Sequence, residues 1–168
     1  MRFTITALLA ATAAMAIPPA TPEDSTSQVA KRAGTTHIIW VGNTIYPNNI
    51  QAEAGDKVQF HFLPGVHSVI QSSYTDPCKS NGGFGSTTRV TYDYQRENEY
   101  FFEIDIMSSK KRIWYYNGAG DACMKGAVGA INSPENRKRN LDHYREAAKV
   151  ERYAENVPEV QGGRLVPV

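Results

Sequence analysis

The side chains best equipped for chemistry are four histidines, His37, His61, His67 and His143, and two cysteines, Cys78 and Cys123. Imidazoles and thiolates are ligands that soft and borderline metals select, and a histidine backed by a carboxylate can also move protons. Nothing in the sequence hands these histidines an acid partner. No serine sits in a Gly-x-Ser-x-Gly elbow, so a nucleophile constellation is not indicated. Two cysteines are too few for a multi-bridge scaffold but enough for one bridge. A further group is aromatic: Trp114-Tyr115-Tyr116, with Tyr92 and Tyr94, could form a platform for carbohydrate or another surface. Alternating aromatics in sandwich strands more commonly fill a core, and that is the weightier reading of the run.

These residues need a frame, and from Thr36 to Asn132 the chain reads as short strands separated by turns. Thr36 to Val41 is β-branched and aromatic and stops at Gly42-Asn43. A weaker strand, Asn48 to Ala52, precedes the turn Ala54-Gly55-Asp56. In Val58 to Leu63, the apolar Val58, Phe60 and Phe62 alternate with Gln59 and His61, which places His61 toward solvent. Further strands are expected at Ser68 to Gln71, Arg89 to Tyr94, Glu99 to Asp105, Arg112 to Tyr116 and Gly126 to Ile131. Seven to eight strands with no helix between them specify an all-β sandwich or barrel.

After Asn132 the pattern changes. Ser133-Pro134-Glu135 supplies a cap, a proline for the first helical position and an acid for the first turn. Leu141, Tyr144 and Ala148 then recur at helical spacing. The expectation is an α-helix from about Pro134 to Glu155 with one narrow apolar stripe. Its Arg137-Lys138-Arg139 cluster and His143 belong to a solvated face. Beyond Pro158 the tail is expected to be loose.

The chain has 168 residues, 41% of them hydrophobic and 21% charged, enough for one globular domain and too few for two. Eighteen Lys and Arg offset seventeen Asp and Glu with no basic face, so no nucleic-acid partner is expected. Arg2 to Ala16 reads as a secretory signal: one basic residue, an apolar stretch from Phe3 to Met15, and Ala14-Met15-Ala16 for cleavage. Residues 17–32 read as a disordered propeptide that ends at the dibasic processing pair Lys31-Arg32. The mature chain is then expected to begin near Ala33, with a domain over residues 33–133 and a helix and tail over residues 134–168. Past the signal no apolar stretch is long enough to span a bilayer, so a secreted, extracellular product is expected.

The order of motifs narrows the fold. THIIWVG, YPNNIQAEAGDKVQFHF, HSVIQSSYTDPC, GGFGS, RIWYYN and CMKGAVGAIN follow one another along the chain. Together they resemble the secreted fungal cupredoxin-like proteins of the small blue-copper superfamily, the extracellular serine-rich type among them. The resemblance covers nearly all of residues 36–133 and the trailing helix, and it implies a Greek-key cupredoxin-like sandwich. In copper-binding members it also implies a ligand at the His of the HSV motif, here His67. The other ligands lie in a stretch like W-[FY]-[FY]-C, then H-C, then G-M. Such a set grips copper with a thiolate and two imidazoles in a plane and a weak thioether on the axis.

This sequence departs from that set at three of four positions. Asn117 stands where the thiolate is expected, Ala122 where the second imidazole is expected, and Ala127 where the thioether is expected. Cys78 and Cys123 match the family's structural cysteines, which implies a disulfide between them. Closing their 45-residue separation would stabilise the fold by about 4 kcal/mol in a chain-entropy treatment, in the oxidising compartment that a secretory signal supplies.

The expectation is therefore a secreted binding or structural module, not an enzyme, that has lost type 1 copper and electron transfer. No cofactor is expected, and the partner would be an extracellular or cell-wall component. The alternative is a copper-binding electron-transfer or oxidase-accessory protein with a rebuilt site around His67, with Asp121 and Asn117 as oxygen donors. A histidine-brace copper enzyme is disfavoured, because dibasic cleavage exposes Ala33 and not a histidine.

Overall fold

The computed structural model describes residues 33–135 and 138–168, so the expected signal, propeptide and Lys31-Arg32 pair lie outside the described residues. The described residues form eleven short strands and one helix: β1 (Thr36–Val41), β2 (Ile45–Tyr46), β3 (Asn49–Ile50), β4 (Lys57–Phe62), β5 (Gly65–His67), β6 (Ile70–Ser72), β7 (Arg89–Thr91), β8 (Tyr100–Asp105), β9 (Ile113–Tyr116), β10 (Val128–Ile131), α1 (Leu141–Ala148) and β11 (Arg164–Pro167). One sheet has the order β11-β8-β4-β1-β2 and the other β3-β10-β9-β6, while β5 and β7 form a separate ribbon. β1 runs parallel to β4, from Thr36↔Lys57 to Val41↔Phe62, and β3 runs parallel to β10. The expected all-β sandwich with a helix near its C-terminus is present. It has more strands than expected because several pieces are only two or three residues long.

The alternation in β4 does what it predicted on one face. Val58, Phe60 and Phe62 are fully buried with Ile39, Val41 and Phe102, and Tyr115 and Ile131 of the second sheet pack into the same core. Phe60 and Tyr115 meet edge to face with centroids 5.2 Å apart, a favoured aromatic geometry. Trp114 and Tyr116 point the other way, into a second core beneath α1 with Leu141, Tyr144 and Ala148. The aromatic run is thus core on both faces of its sheet.

Three sequence expectations are corrected here. His61 does sit opposite Phe60 and Phe62, yet it is only 8% exposed. Trp40, its register partner on β1, and Phe101 cover its ring, at centroid distances of 5.1 and 4.8 Å. The helix is shorter than Pro134 to Glu155: α1 begins after Asn140, whose side chain accepts from His143 N at 3.0 Å. Upstream, Ser133 is buried and its carbonyl accepts from Gln51 Nε2 at 3.2 Å, which ties that segment to the sheet instead of to a helical turn. The helix ends early because the following chain is drawn across the sandwich, with Glu155 N donating to the Cys78 carbonyl at 2.9 Å.

The tail is not loose. β11 pairs antiparallel with β8, from Arg164↔Glu103 to Pro167↔Tyr100, and Arg164 bonds Asp105 at 2.8 Å and also reaches Glu103. Leu165 packs against the main core. The proline sits at the last position of an edge strand, where a missing N–H costs least.

Candidate functional site around His67 and Asn117

The ribbon strand β5 ends on His67, and β9 ends one residue before Asn117. Antiparallel pairing of β6 with β9 places Ile70 opposite Tyr116, so both side chains arrive at the same end of the sandwich. Both are buried. Asn117 Nδ2 donates to His67 Nδ1 at 3.0 Å and to the Gly42 carbonyl at 2.9 Å. Its Oδ1 accepts from Ser68 N at 3.1 Å and from Ala119 N at 3.0 Å. Two acceptors face the amide nitrogen and two N–H donors face the oxygen, so every hydrogen-bonding capacity of this side chain is matched.

The network also sets the tautomer of His67. Nδ1 receives a proton donor, so the ring hydrogen is on Nε2, which donates to the Pro64 carbonyl at 3.1 Å. Burial disfavours the imidazolium and outweighs the opposite pull of the Pro64 carbonyl, so the His67 pKa lies below its ordinary value.

The backbone gathers the other two positions singled out in the sequence. Asn117 N donates to the Ala127 carbonyl at 2.9 Å, and Ala127 N donates to the Ala122 carbonyl at 2.9 Å. His67, Asn117, Ala127 and Ala122 are thus linked in sequence by direct hydrogen bonds. Ala127 is fully buried in the main core. Cys78 and Cys123 form the expected disulfide, so neither offers a thiolate. Asp121 is ion-paired with Lys125 at 2.8 Å on the surface, and that partner holds its carboxyl below the usual range.

The four positions carry one imidazole, one amide and two methyl groups. A metal on Nδ1 would have to displace the Asn117 amide, and the amide and two methyl groups supply no thiolate, imidazole or thioether. Among the described residues, no group of three or more His, Cys, Asp and Glu side chains could hold a metal ion.

Several neighbours were not found from sequence. Ser68 Oγ donates to Asn156 Oδ1 at 2.9 Å and accepts from Gly118 N at 3.1 Å, while Asn156 Nδ2 donates to the Gly118 carbonyl at 3.0 Å. A lone asparagine in a charged tail carries no signal of such a role. The expectation that the histidines lack acid partners is also corrected. His37 Nε2 lies 3.0 Å from Asp56 Oδ2, and His61 Nδ1 contacts Glu97. These carboxylates are 19 and 36 residues away in sequence, which is why local motifs missed them. His143 lies exposed on α1, as its spacing predicted. A cleft of about 570 Å³ opens between Gln51, Arg112 and Ser133, but neither His67 nor Asn117 lines it.

No family model matches the chain. Over 124 residues, 74% of this chain, it is 31% identical to an extracellular serine-rich protein of Arthroderma benhamiae, of which it spans about half the length (48%). Among solved structures, a pseudoazurin from a Sinorhizobium species aligns over 71% of this chain and 85% of its own, at 18% identity and a TM-score of 0.38. Among the described residues no helix is long and apolar enough to cross a membrane.

Proposed function

We propose that this chain is a secreted, cupredoxin-like binding or structural module in which a copper position has become a hydrogen-bonded joint. One observation carries the reading: the buried Asn117 amide donates to the Nδ1 lone pair that a metal would need. The disulfide suits an oxidising compartment, and the extracellular relative supports secretion. A chain with a signal ending near Ala16 and processing after Lys31-Arg32 fits the same reading. The module would act by surface recognition, without turnover and without a bound cofactor.

Titration of the processed protein with Cu(II) and Cu(I) tests this. Weak binding without an intense visible thiolate-to-copper band is expected. Tight one-to-one binding that His67→Gln abolishes would overturn the reading in favour of a rebuilt copper site.

A further inference from the structure

A second polar and aromatic site lies on the β5–β7 ribbon and the turn leading into β8. It is a cleft of about 170 Å³ lined by Arg89, Tyr92, Gln95, Asn98, Glu99 and Tyr100, well below the roughly 300 Å³ at which drug-sized pockets begin. Asn98 is its fixed wall. This buried amide donates to the Val90 carbonyl at 2.8 Å and to Thr91 Oγ1 at 3.1 Å, and accepts from Tyr100 N at 3.2 Å.

The remaining polar groups have capacity to spare. Gln95 Oε1 accepts from Tyr92 N at 2.9 Å, which leaves the amide hydrogens for a ligand. Arg89 Nε is buried with no acceptor among the described residues. The Arg89 guanidinium carbon lies 5.9 Å from the centre of the Tyr100 ring. Tyr92 is 59% exposed and Tyr94 84% exposed, yet their rings stack in parallel, 5.5 Å apart at 4°. Stacking on Tyr94 holds the Tyr92 ring as a flat platform beside the cleft.

We propose that this cleft binds one ring of a neutral glycan, with Tyr92 as the stacking surface and Arg89, Gln95 and Glu99 as hydroxyl partners. A pyranose offers an apolar C–H face to an aromatic ring and hydroxyls that both donate and accept. Arg and Gln supply donors and Glu an acceptor. The charges of Arg89 and Glu99 offset each other, which favours an uncharged ligand over an anionic one. A proline-rich peptide has no proline N–H to give the Glu99 carboxylate. The inference rests on the reading of the chain as a binding module and names its ligand class.

The test titrates the full secreted chain with soluble hexasaccharides of β-1,3-glucose, β-1,4-N-acetylglucosamine and α-1,6-mannose, with decaproline beside them. At least one saccharide is expected to bind. Tyr92→Ala and Arg89→Leu should each weaken it about tenfold or more, and Tyr94→Ala less, as is usual when a central anchor and its support are truncated. Unchanged thermal unfolding of Tyr92→Ala, an exposed position, shows that the loss is local. Failure of all three saccharides to bind at millimolar concentration, binding that survives Tyr92→Ala, or binding of decaproline alone would each overturn the proposal. Copper titration reads His67 and saccharide titration reads Tyr92, so either reading can fail without the other.

Discussion

Asn117 holds Nδ1 of His67 at 3.0 Å through one amide hydrogen and the Gly42 carbonyl at 2.9 Å through the other. One buried side chain therefore joins the turn after β1, the end of β5 and the end of β9. An imidazole at this place would otherwise keep a lone pair facing the loop end. Here that lone pair is an acceptor within the fold, and its geometry is enforced by three backbone partners of the same amide.

Asn117→Ala should consequently be among the most damaging single changes. It strands a buried donor on Ser68, a half-buried one on Ala119 and buried acceptors on Gly42 and His67. With an unsatisfied group costing about 1–3 kcal/mol and incomplete additivity, the expected loss is roughly 3–5 kcal/mol. Urea unfolding should show a lower midpoint with an unchanged slope. A loss within experimental error would mean that the amide is not the joint described.

The hydrogen-bonded succession from His67 to Ala122 makes a reverse experiment possible. Asn117→Cys, Ala122→His and Ala127→Met, combined, should let the chain bind copper with an intense visible band. Ala127 is fully buried, so the added volume should cost about 1–3 kcal/mol. A folded triple variant that stays colourless with Cu(II) would show that the four positions do not converge on a metal-sized point.

Much of this arrangement is legible in the sequence. Period-two alternation in Val58 to Leu63 located the central strand and its core face, and the spacing of Leu141, Tyr144 and Ala148 located the helix stripe. The family resemblance singled out His67, Asn117, Ala122 and Ala127, and hydrogen bonds link these four in the fold. What escaped was long-range. Burial of His61 depends on Trp40 and Phe101 from two neighbouring strands, and the carbonyl of Ser133, the expected helix cap, accepts from the distant Gln51. β11 was hidden in the short Leu165-Val166-Pro167 run, whose strand character is realised only by pairing with β8. Local pattern reports which face a residue takes; it does not report what another segment lays over that face.

The β8–β11 edge gives an acid-sensitivity prediction. Burial pushes the Glu103 carboxyl up, but hydrogen bonds from Gln59, Lys57 and Arg164 together outweigh it, and the pKa lies below its ordinary 4.5. Asp105 is pulled down chiefly by Arg164. Carboxyls with depressed folded-state values stabilise fully above their unfolded values, and this contribution is lost as pH falls through the folded values. Unfolding midpoints should therefore drop below about pH 4.5. Glu103→Gln should flatten that limb. An acid limb as steep in Glu103→Gln as in the parent chain would contradict the assignment.

The disulfide and the chain after α1 should act together. Replacing Cys78 and Cys123 with Ala removes a constraint over 45 residues, worth about 4 kcal/mol. It also loosens the carbonyl that holds Glu155 N. Thermal unfolding should fall sharply, and limited proteolysis should begin between Ala148 and Val157. A reduced midpoint with that segment still protected would separate the two effects.

Gly118 isolates the contribution of that same segment without touching the sulfur. A Cβ there would lie 2.6 Å from Ile70 Cδ1 and 2.7 Å from the Glu155 carbonyl oxygen. The first atom can rotate away, but the second is backbone, held on its other side because Tyr116 OH donates to that carbonyl at 2.9 Å. Gly118→Ala should therefore push the segment carrying Glu155 and Asn156 off the loop end, at a cost of about 1–3 kcal/mol. The distinguishing readout is amide exchange. Glu155 N and Gly118 N should lose protection while Phe60 and Phe102 in the main core keep theirs. Uniform loss of protection across both cores would instead mean that the segment is not a separable strap but part of the cooperative unit itself.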